Sequence, residues 1–557
     1  MGVRFENPPP SAPSPARGEG NSLEKFSSNY SIFKFTSFSP AESYNISMKQ
    51  VKSILNPKRM KVGMISLGCP KTLVDSEIIL GALDSGKYEV IGQVGRCDIA
   101  LINTCAFIHD AKQESIDRIL DLIKLKQTGK VKFIVVVGCL PQRYPKVMKK
   151  EFREIDAFVG TGDYHLINEV LEQAMTRQKG DRHMTQRKRL PVPFFRNQNP
   201  ALLEMVPGMH ITRSPGYIYN STMKRVSLTS PFSRYIKISE GCSHQCSFCT
   251  IPSYRGKYRS RFIDDILREA AQLVEEGARE LILTGQDTTY FGYDTHHKLL
   301  LQDLLHDLNQ IPRLRWIRVM YAYPSYVNDS LIEAIAKLEK VCHYIDIPVQ
   351  HISDTVLRRM KRTTTKKSIL KLIEKLRKRI PDIAIRTSLI VGFPGETEKD
   401  FRELLRFASE VRFERLGIFT YSREEGTSAA LMKNQVPEKV KKERYREGMV
   451  LQQKVSREKN RRLKGRTMEV LIEDDFRYRF QKCQVLTQVN QNPALLETVP
   501  GTGAWYTGRS YMDAPEIDGI FRVKVPRQVK LYPGEFVRAK VTDYQEYDLT
   551  GDFEKVV

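Results

Sequence analysis

The chain has 557 residues, of which 41% are hydrophobic, and a formal net charge of +24 at pH 7. This length suffices for three to four domains with sizeable cores, and the sequence has no run of about twenty apolar residues that would cross a membrane. The positive charge favours phosphate-rich partners such as RNA or a ribosome, and it equally fits a surface whose role is solubility.

The amino-terminal residues 1–58 are rich in Ser, Pro, Asn and Phe. They lack the charged start and the apolar stretch of a secretory signal, which predicts a cytoplasmic protein. We interpret them as a disordered extension, or as the result of a start codon placed too early, with Met48 and Met60 as later candidates. Nine cysteines in a cytoplasmic chain favour metal or redox chemistry over a disulfide framework.

Three apolar runs follow, at 61–68, 98–104 and 131–138, with helical stretches between them. This alternation predicts the parallel sheet of an α/β, Rossmann-like domain. A cysteine comes soon after each run. Ligands gather beyond the carboxyl ends of such strands, so we expect the three thiols to converge on one point. These cysteines are Cys69, Cys105 and Cys139.

The next segment, residues 177–231, is basic and contains scattered prolines, which predicts a linker or an insert. Its dodecapeptide NQNPALLEMVPG at 197–208 recurs as NQNPALLETVPG at 490–501, with only Met205 and Thr498 different. We interpret the pair as a duplicated insert in surface loops, because loops tolerate insertion at low cost. The alternative is a pair of matched docking segments.

Six further apolar runs alternate with helical stretches such as 264–278 and predict six consecutive βα units over residues 232–464. A closed TIM-like barrel needs eight units, so we expect a partial βα barrel with its site at the carboxyl ends of the strands. The runs are 234–239, 279–285, 316–322, 343–348, 383–392 and 415–421.

The last region, residues 465–557, consists of short alternating segments separated by Gly and Pro. This pattern predicts a small β-barrel, interrupted by an insert near 480–505. Its basic and aromatic residues fit a nucleic-acid surface, and the aromatic residues equally fit the core of so small a domain.

The loop GCSHQCSFC at 241–249 opens the predicted partial barrel with three thiols in a C-x3-C-x2-C spacing. A structural zinc site needs four protein ligands, and His244, two residues after Cys242, would strain so tight a loop as the fourth. An iron–sulfur cluster held by three thiolates instead leaves one iron free to bind a small molecule. We therefore favour a cluster on Cys242, Cys246 and Cys249 over zinc.

This loop resembles, at its three cysteines, the cluster loop of the radical S-adenosylmethionine (radical SAM) enzymes. The stretches SLGCPKTLVDSE, NTCAF and VVGCLPQRY are similar to the amino-terminal domain of the methylthiotransferases, whose three cysteines hold a second cluster. The resemblance implies two 4Fe-4S clusters and S-adenosyl-L-methionine as cofactors. Cluster 1 would be held by Cys69, Cys105 and Cys139, and cluster 2 by the three cysteines of the loop.

Methylthiotransferases have two branches, one acting on tRNA adenosine and one, called RimO, on an aspartate of small-subunit ribosomal protein twelve. The stretches KISEGCSHQCSFCTIPSYRG, YIDIPVQHISDTVLRRMKR and GRSYMDAPEIDG resemble the RimO branch. The resemblance covers residues 60 to about 550 apart from the two inserts, and it implies a terminal TRAM domain that contacts the substrate.

The RimO resemblance implies a transferase that places a methylthio group on the β-carbon of aspartate and uses two S-adenosylmethionine molecules per turnover. In that family cluster 2 cleaves S-adenosylmethionine to a radical that removes a hydrogen atom, and cluster 1 offers the sulfur. The implied partners are the ribosomal protein or the subunit that carries it, and an electron donor such as flavodoxin or ferredoxin. Two alternatives remain: tRNA methylthiolation, and an RNA-binding iron–sulfur protein without turnover.

Catalytic residues beyond the cluster ligands are not assigned from the sequence. The glycine turns at 284–289 and 391–397 follow barrel strands and fit either a close approach to the cofactor or an ordinary tight turn. His351 also follows a strand and fits a structural histidine at least as well as a functional one. Lone cysteines are usually small buried residues, and no chemistry is assigned to three of them. These are Cys97, Cys342 and Cys483.

Two stretches are strongly basic. Residues 358–379 contain eleven Lys or Arg and one acidic residue, and residues 433–466 contain thirteen and four. Such runs usually form the solvated faces of helices. The ribosomal substrate that the resemblance implies favours a second interpretation, in which they dock beside rRNA and lose affinity as salt rises.

Overall fold

The computed structural model of the chain describes residues 59–178, 208–475 and 504–557. The interpretations of residues 1–58, of Cys483, of the insert up to residue 503 and of both dodecapeptides (apart from Gly208) lie outside these ranges. Within them, no helix has the length and apolar character needed to cross a membrane.

The amino-terminal domain is a six-stranded parallel sheet with the strand order β2-β1-β3-β4-β5-β6. Its strands are β1 (Met60–Ser66), β2 (Tyr88–Val90), β3 (Ile99–Thr104), β4 (Phe133–Gly138), β5 (Ala157–Val159) and β6 (Met209–His210). The three predicted strands are present as β1, β3 and β4. Every residue of β3 and β4 is buried, as expected for central strands that helices cover on both faces.

Helices connect these strands. They are α1 (Pro70–Ala82), α2 (His109–Gln127), α3 (Cys139–Arg143), α4 (Pro145–Glu151) and α5 (Ile167–Gln178). Strand β6 comes from the basic segment predicted as a linker and completes the edge of the sheet. The same segment reaches the central part of the chain, because Arg225, whose side chain is 5% exposed, donates to Glu269 at 2.6 Å and also bonds Glu77.

The central domain is a second parallel sheet with the order β14-β13-β12-β11-β10-β7, which leaves β7 and β14 as edges and confirms the predicted partial barrel. Its six strands match the six predicted runs, and a two-stranded ribbon, β8 with β9, is added beside them. The strands are β7 (Ser233–Lys237), β8 (Ser239–Glu240), β9 (Arg259–Ser260), β10 (Glu280–Thr284), β11 (Trp316–Val319), β12 (Val341–Asp346), β13 (Ala384–Val391) and β14 (Arg415–Thr420).

Amphipathic helices cover this sheet and bury a continuous apolar core that includes Leu304, Ile317, Ile345 and Leu404. Capping boxes at Thr365 and Thr397 begin two of the helices and satisfy backbone N–H groups of their first turns. The helices are α6 (Ile251–Arg255), α7 (Ile263–Glu275), α8 (Tyr293–His296), α9 (Leu301–Asn309), α10 (Asp329–Lys337), α11 (Asp354–Arg359), α12 (Lys366–Arg379), α13 (Glu398–Val411) and α14 (Glu438–Arg461).

The carboxyl-terminal domain is a closed barrel with the strand order β15-β16-β17-β19-β18, which confirms the predicted small β-barrel. Its strands are β15 (Thr467–Asp475), β16 (Ala504–Ser510), β17 (Phe521–Val525), β18 (Phe536–Tyr544) and β19 (Leu549–Val556). Four of the five correspond to the alternating segments of the sequence. The fifth, β19, was not predicted, because its sequence LTGDFEKV places charged residues at most of its exposed positions.

Buried ion pairs join this barrel to the amino ends of the central strands. Glu280, the first residue of β10, accepts hydrogen bonds from Arg318 Nε at 2.8 Å and from Arg509 Nη2 at 2.6 Å. Arg415, the first residue of β14, donates two hydrogen bonds to Asp513, one of them from Nε at 2.9 Å. The small barrel therefore closes the amino end of the central sheet, which leaves the carboxyl ends of the strands for the candidate site.

Candidate functional site

Three thiols lie together at the carboxyl edge of the amino-terminal sheet. Cys69 precedes α1, Cys105 follows β3 directly, and Cys139 follows β4 and begins α3. Burial, together with the neighbouring Cys139 and Cys69, raises the pKa of the Cys105 thiol to about 12. The side chains therefore interact, as the positions of the strands predict.

Two glycines allow the chain to bring these cysteines together. Gly68 has a φ of +94°, and a Cβ there would lie 2.9 Å from the Cβ of Cys105. Gly138 has a φ of +99°, and a Cβ there would lie 2.2 Å from Asn103 Oδ1. Both positions combine a left-handed backbone with a close approach, so only glycine fits without strain.

Two cationic side chains face this triad. Arg255 Nη2 lies 3.3 Å from Cys139 Sγ, and the largely buried Lys71 places its Nζ 3.3 Å from the ring centroid of Tyr321. Burial alone would raise the pKa of Cys69, but Lys71 and Arg255 outweigh it and bring this pKa below its ordinary value. Metals bind the thiolate, so the two cations beside Cys69 and Cys139 fit an iron–sulfur cluster bound through sulfur.

The second group of thiols lies in the loop between β8 and α6. The N–H of Cys242 donates to Gly256 O at 3.1 Å, and the N–H of Cys249 donates to Cys246 O at 3.1 Å, which folds the loop back on itself. Desolvation, with Cys246 and Cys242 adding to it, raises the pKa of Cys249 to about 12. Burial also raises the pKa of Cys242 to about 12, so these two thiols lose their protons together only when a positively charged group binds them, and the loop also fits a cluster.

His244, the nominal fourth ligand of a zinc site, is engaged elsewhere. Its Nε2 lies 2.7 Å from Asp287 Oδ2, and its ring stacks on Tyr323 with the centroids 4.0 Å apart. Among the residues that the structure describes, no group of three His, Cys, Asp or Glu side chains is arranged to hold one metal ion. A cubane cluster binds each thiolate through a different iron, so its cysteines stand further apart than the ligands of a single ion.

Helix α6 lies between the two triads. Its Tyr254 is buried, and burial together with the neighbouring Cys139, Cys249 and Cys105 raises the pKa of its phenol well above the ordinary value. Tyr254 is thus close to thiols of both groups. The next residue, Arg255, reaches Cys139 directly. The loop cysteines and the cysteines at the sheet edge therefore form one composite site.

A buried network of four charged residues holds the two halves of this site together. Arg255 Nη1 donates to Asp75 Oδ2 at 2.7 Å and to Glu240 Oε2 at 3.2 Å. Lys237 Nζ donates to Glu240 Oε2 at 2.6 Å and also bonds Asp75. All four side chains are almost completely buried, and each carboxylate contacts both cations. The network links α1 of the first domain to β7 and α6 of the second.

The glycine turn at 284–289 offers polar atoms at the carboxyl end of β10. Thr284 Oγ1 and Gln286 Oε1 are buried and have no hydrogen-bond partner among the described residues. Buried polar atoms are nearly always satisfied in native proteins, so such atoms fit a position beside a bound molecule. They lie near the loop cysteines, because Gln286 Nε2 donates to Glu240 Oε1 at 2.8 Å. This turn accordingly fits a small cofactor.

The second glycine turn, at 391–397, is occupied by contacts within the protein. Glu396 accepts from the N–H of Phe393 at 2.9 Å and from Arg444 Nη1 at 3.2 Å, and Gly395 O accepts from Arg359. These contacts favour the interpretation as a tight structural turn.

Other residues singled out from the sequence lie in structural surroundings. His351 is completely buried, and its Nδ1 accepts from the N–H of Ser353 at 3.0 Å. Cys97 Sγ donates to Val94 O at 2.8 Å, and Cys342 is buried within the core. No chemistry was predicted for the two lone cysteines.

The two basic stretches contain both structural and exposed residues. Arg362 lies beside the loop triad, with its guanidinium 3.9 Å from the ring centroid of Tyr323 and Nη1 3.8 Å from Cys246 Sγ. Arg444 is buried against Glu396. In contrast, Lys367, Lys371 and Lys378 of α12 are exposed and spaced so that they share one face of that helix. The number of charged residues in each stretch of the sequence could not distinguish the arginines used inside the structure from the exposed lysines.

Six residues of the composite site were not identified from the sequence. They lie inside two of the stretches that carry the resemblance, SLGCPKTLVDSE and KISEGCSHQCSFCTIPSYRG, which is the signal that could have found them. These residues are Lys71, Asp75, Lys237, Glu240, Tyr254 and Arg255.

Three family descriptions match successive parts of the chain. Residues 61–160 match "Uncharacterized protein family UPF0004", residues 236–408 match the Radical SAM superfamily, and residues 491–553 match the TRAM domain. The first match contains the amino-terminal triad, and the second contains the loop triad and five of the six βα units, from β7 to β13 and α13.

Relatives are similar to the chain over nearly their whole length. A ribosomal protein uS12 methylthiotransferase RimO from Geobacter sulfurreducens is 43% identical over 492 residues, which is 88% of this chain and 98% of the relative. The protein of the same name from Pelotomaculum thermopropionicum is 42% identical over 493 residues, or 88% and 99%. Among solved structures, the radical S-adenosylmethionine methyltransferase TsrM from Kitasatospora setae aligns with a TM-score of 0.48 and 14% identity, over 67% of this chain and 77% of TsrM.

Proposed function

Because the chain belongs to the RimO family of ribosomal protein uS12 methylthiotransferases, we propose that it methylthiolates the β-carbon of an aspartate in uS12, the small-subunit ribosomal protein twelve. Radical chemistry suits this position, since a side-chain methylene yields a hydrogen atom more readily than a proton. The enzyme is a radical S-adenosylmethionine transferase of methylthio groups.

One observation supports this function above all: two separate thiol triads meet across helix α6. Tyr254 is close to thiols of both triads, and Arg255 bonds a sulfur of the first. A reaction that needs a radical source and a sulfur source requires two such sites within reach of one substrate. A single structural cluster would not explain the second triad.

We assign cluster 1 to Cys69, Cys105 and Cys139, and cluster 2 to Cys242, Cys246 and Cys249. The domain limits proposed from the sequence follow this assignment: a methylthiotransferase domain at 59–176, a segment at 177–231, a radical S-adenosylmethionine domain at 232–464 and a TRAM domain at 465–557. The three family matches fall inside these limits.

A cluster held by Cys242, Cys246 and Cys249 would supply the electron that S-adenosylmethionine cleavage needs. The chain's own residues prepare the site for this chemistry. The thiolates would hold the irons, and the turn containing Thr284 and Gln286 would offer its buried, unpartnered polar atoms to the cofactor. Lys71 and Arg255 lower the pKa of Cys69 and so favour its thiolate. Burial of Tyr254 and its neighbours excludes water from the space between the triads.

The substrate partner is uS12 or the small ribosomal subunit that carries it, and we propose that the exposed lysines of α12 dock beside rRNA. A one-electron carrier such as flavodoxin or ferredoxin supplies the electrons. We place the enzyme in the cytoplasm, where its ribosomal substrate is found.

The test uses the anaerobically reconstituted holoenzyme with dithionite, S-adenosylmethionine, a sulfide source and either purified small subunits or tRNA. We expect 5′-deoxyadenosine and a uS12 peptide that is heavier by one methylthio group on aspartate. A methylthiolated adenosine in tRNA with unmodified uS12 would identify the tRNA branch instead. A sample with both clusters that releases no 5′-deoxyadenosine would contradict enzymatic function and favour an RNA-binding iron–sulfur protein.

A further inference from the structure

The guanidinium of Arg255 connects the second domain to the thiols of the first. Arg255 ends helix α6, which begins two residues after Cys249. Its side chain is 3% exposed, and its Nη2 donates to Cys139 Sγ at 3.3 Å. The domain that carries the loop triad therefore supplies a hydrogen bond to a sulfur of the other triad.

We propose that Arg255 positions the sulfur of Cys139 and raises the reduction potential of the cluster held by Cys69, Cys105 and Cys139. This inference rests on the proposed function, because it requires that cluster. Arg255 is a positioning residue here, since it acts through the sulfur and touches neither substrate nor cofactor.

The orientation of Arg255 is fixed by its other partners. Nη1 donates to Asp75 at 2.7 Å and to Glu240 at 3.2 Å, so the plane of the guanidinium cannot rotate away from Cys139 without breaking these bonds. Lys237 contacts the same two carboxylates. The four charges therefore balance among themselves, and the N–H group that faces Cys139 remains directed at the sulfur.

The effect on potential follows from electrostatics. A thiolate-bound cluster carries net negative charge, and reduction adds one more electron. An N–H group that donates to a ligand sulfur stabilises the reduced form more than the oxidised form, and hydrogen bonds to sulfur are among the factors that set cluster potentials. Burial strengthens the interaction because water does not screen it.

Arg362 provides a matched comparison at the other triad. Its Nη1 lies 3.8 Å from Cys246 Sγ, and its guanidinium stacks on Tyr323. Each triad thus has its own arginine, one at 3.3 Å and one at 3.8 Å from a sulfur. Replacing either arginine should shift the potential of its own cluster, and the shift should be larger for Arg255.

The experiment measures each cluster alone. A background in which the loop cysteines are replaced by alanine keeps only the amino-terminal cluster, and the reciprocal background keeps only the loop cluster. Each reconstituted full-length protein is titrated potentiometrically with dithionite, and the reduced cluster is followed by electron paramagnetic resonance. Iron and sulfide are counted in every sample. The replaced residues are Cys242, Cys246 and Cys249 in the first background and Cys69, Cys105 and Cys139 in the second.

In the first background we expect Arg255→Met to shift the midpoint potential to a more negative value. Arg362→Met should produce its shift in the second background, where Arg255→Met should have none. Arg255→Lys keeps a positive charge beside Asp75 and Glu240, so it decides the question if the Met variant does not fold. We expect it to give a smaller shift in the same direction.

An unchanged midpoint potential in Arg255→Met, or in Arg255→Lys if the Met variant does not fold, with full iron content, would overturn the inference. An equal shift of both clusters would also overturn it, because a general loss of structure and not the bond to Cys139 would then be responsible. If the first background binds no iron although Arg255 is intact, the proposed function itself fails. The two failures are therefore distinguishable.

Discussion

At the scale of single residues, His351 illustrates how burial couples a side chain to pH. It is completely buried, and burial lowers its pKa to about 3, with Arg444 also lowering it and Asp400 opposing. The unfolded chain takes up a proton near pH 6.5, whereas the folded protein keeps this imidazole neutral down to about pH 3. The stability that this difference provides is complete above pH 6.5 and is lost as the pH falls towards 3.

We predict that wild-type protein loses about 2 kcal/mol more stability than His351→Gln between pH 6.5 and pH 5. The measurement is the difference in Tm between the two proteins at several pH values in this range. His210, whose pKa burial lowers to about 4, is present in both proteins and cancels from the comparison. If the Tm of the two proteins fell in parallel with pH, His351 would take up a proton as readily in the folded state as in the unfolded state, and the prediction would be wrong.

The thiols of the site could be predicted from the sequence, whereas the charges around them could not. Cys69, Cys105 and Cys139 come soon after apolar runs, and the loop cysteines form a compact pattern. Asp75 and Arg255 are separated by 180 positions in the chain, and each resembles an ordinary surface charge of a helix. Their contact arises only when the two domains pack together.

At the scale of elements, charged strand residues form the closure between the central sheet and the small barrel. Glu280 and Arg318 are completely buried in β10 and β11, and Arg509 of β16 meets Glu280 across 229 positions. In the sequence these residues interrupt the apolar pattern of their strands. Arg509 and Asp513 belong to the GRSYMDAPEIDG stretch. Because Arg509 bonds Glu280 and Asp513 bonds Arg415, this stretch contributes to the closure between the two domains.

Removing the charge of Glu280 should weaken this closure. Glu280→Gln leaves Arg318 and Arg509 buried with one counter-charge fewer, and breaking such a pair costs about 3–5 kcal/mol. Glu469→Gln is the matched control, because its partner Arg315 and Glu469 itself are partly exposed and such a pair is worth about 0–1 kcal/mol.

Both variants are compared with the wild type by their Tm and by the rate of limited proteolysis at the junction between the central sheet and the small barrel. We expect a clear loss of Tm and faster cleavage for Glu280→Gln only. Equal behaviour of the two variants would mean that the buried charges do not hold the domains together.

Long strands could be predicted and very short strands could not. The six strands of the central sheet and β1, β3 and β4 have apolar runs long enough to indicate their type. Strands β2, β5 and β6 have only two or three residues, which is too few to show a period. They form because neighbouring strands offer backbone partners, a tertiary effect that no local pattern encodes.

At the scale of the whole molecule, the basic residues behind the net charge of +24 have two different roles. Some basic residues, such as Arg255, Arg362 and Arg444, are used inside the structure. Others, among them Lys367, Lys371 and Lys378, are exposed on one face of α12 and remain available to a phosphate backbone. The total charge therefore overstates the charge that an RNA partner would meet.

We predict that binding to the small ribosomal subunit weakens steeply as salt rises, because each lysine–phosphate contact releases a counterion. Replacing Lys367, Lys371 and Lys378 by alanine should reduce the magnitude of the negative slope of log K against log salt by about 2 to 3. The control is an alanine variant with the same loss of charge on the amino-terminal domain.

The control variant replaces Lys130, Lys146 and Lys150 by alanine. Binding is measured by sedimentation with labelled subunits from low to moderate salt. An affinity that does not change with salt, or an equal loss of slope in both variants, would show that α12 is only a solvated surface.

The most direct test of the central claim is a count of iron and sulfide per chain in anaerobically reconstituted protein. If each triad holds one 4Fe-4S cluster, the combined Cys242→Ala, Cys246→Ala, Cys249→Ala variant should lose about half of the iron, and the variant of the other triad about half as well. Brown wild-type protein with this result supports two clusters in one composite site. Colourless protein with zinc in the loop, or a loop variant that keeps all of its iron, would contradict the account.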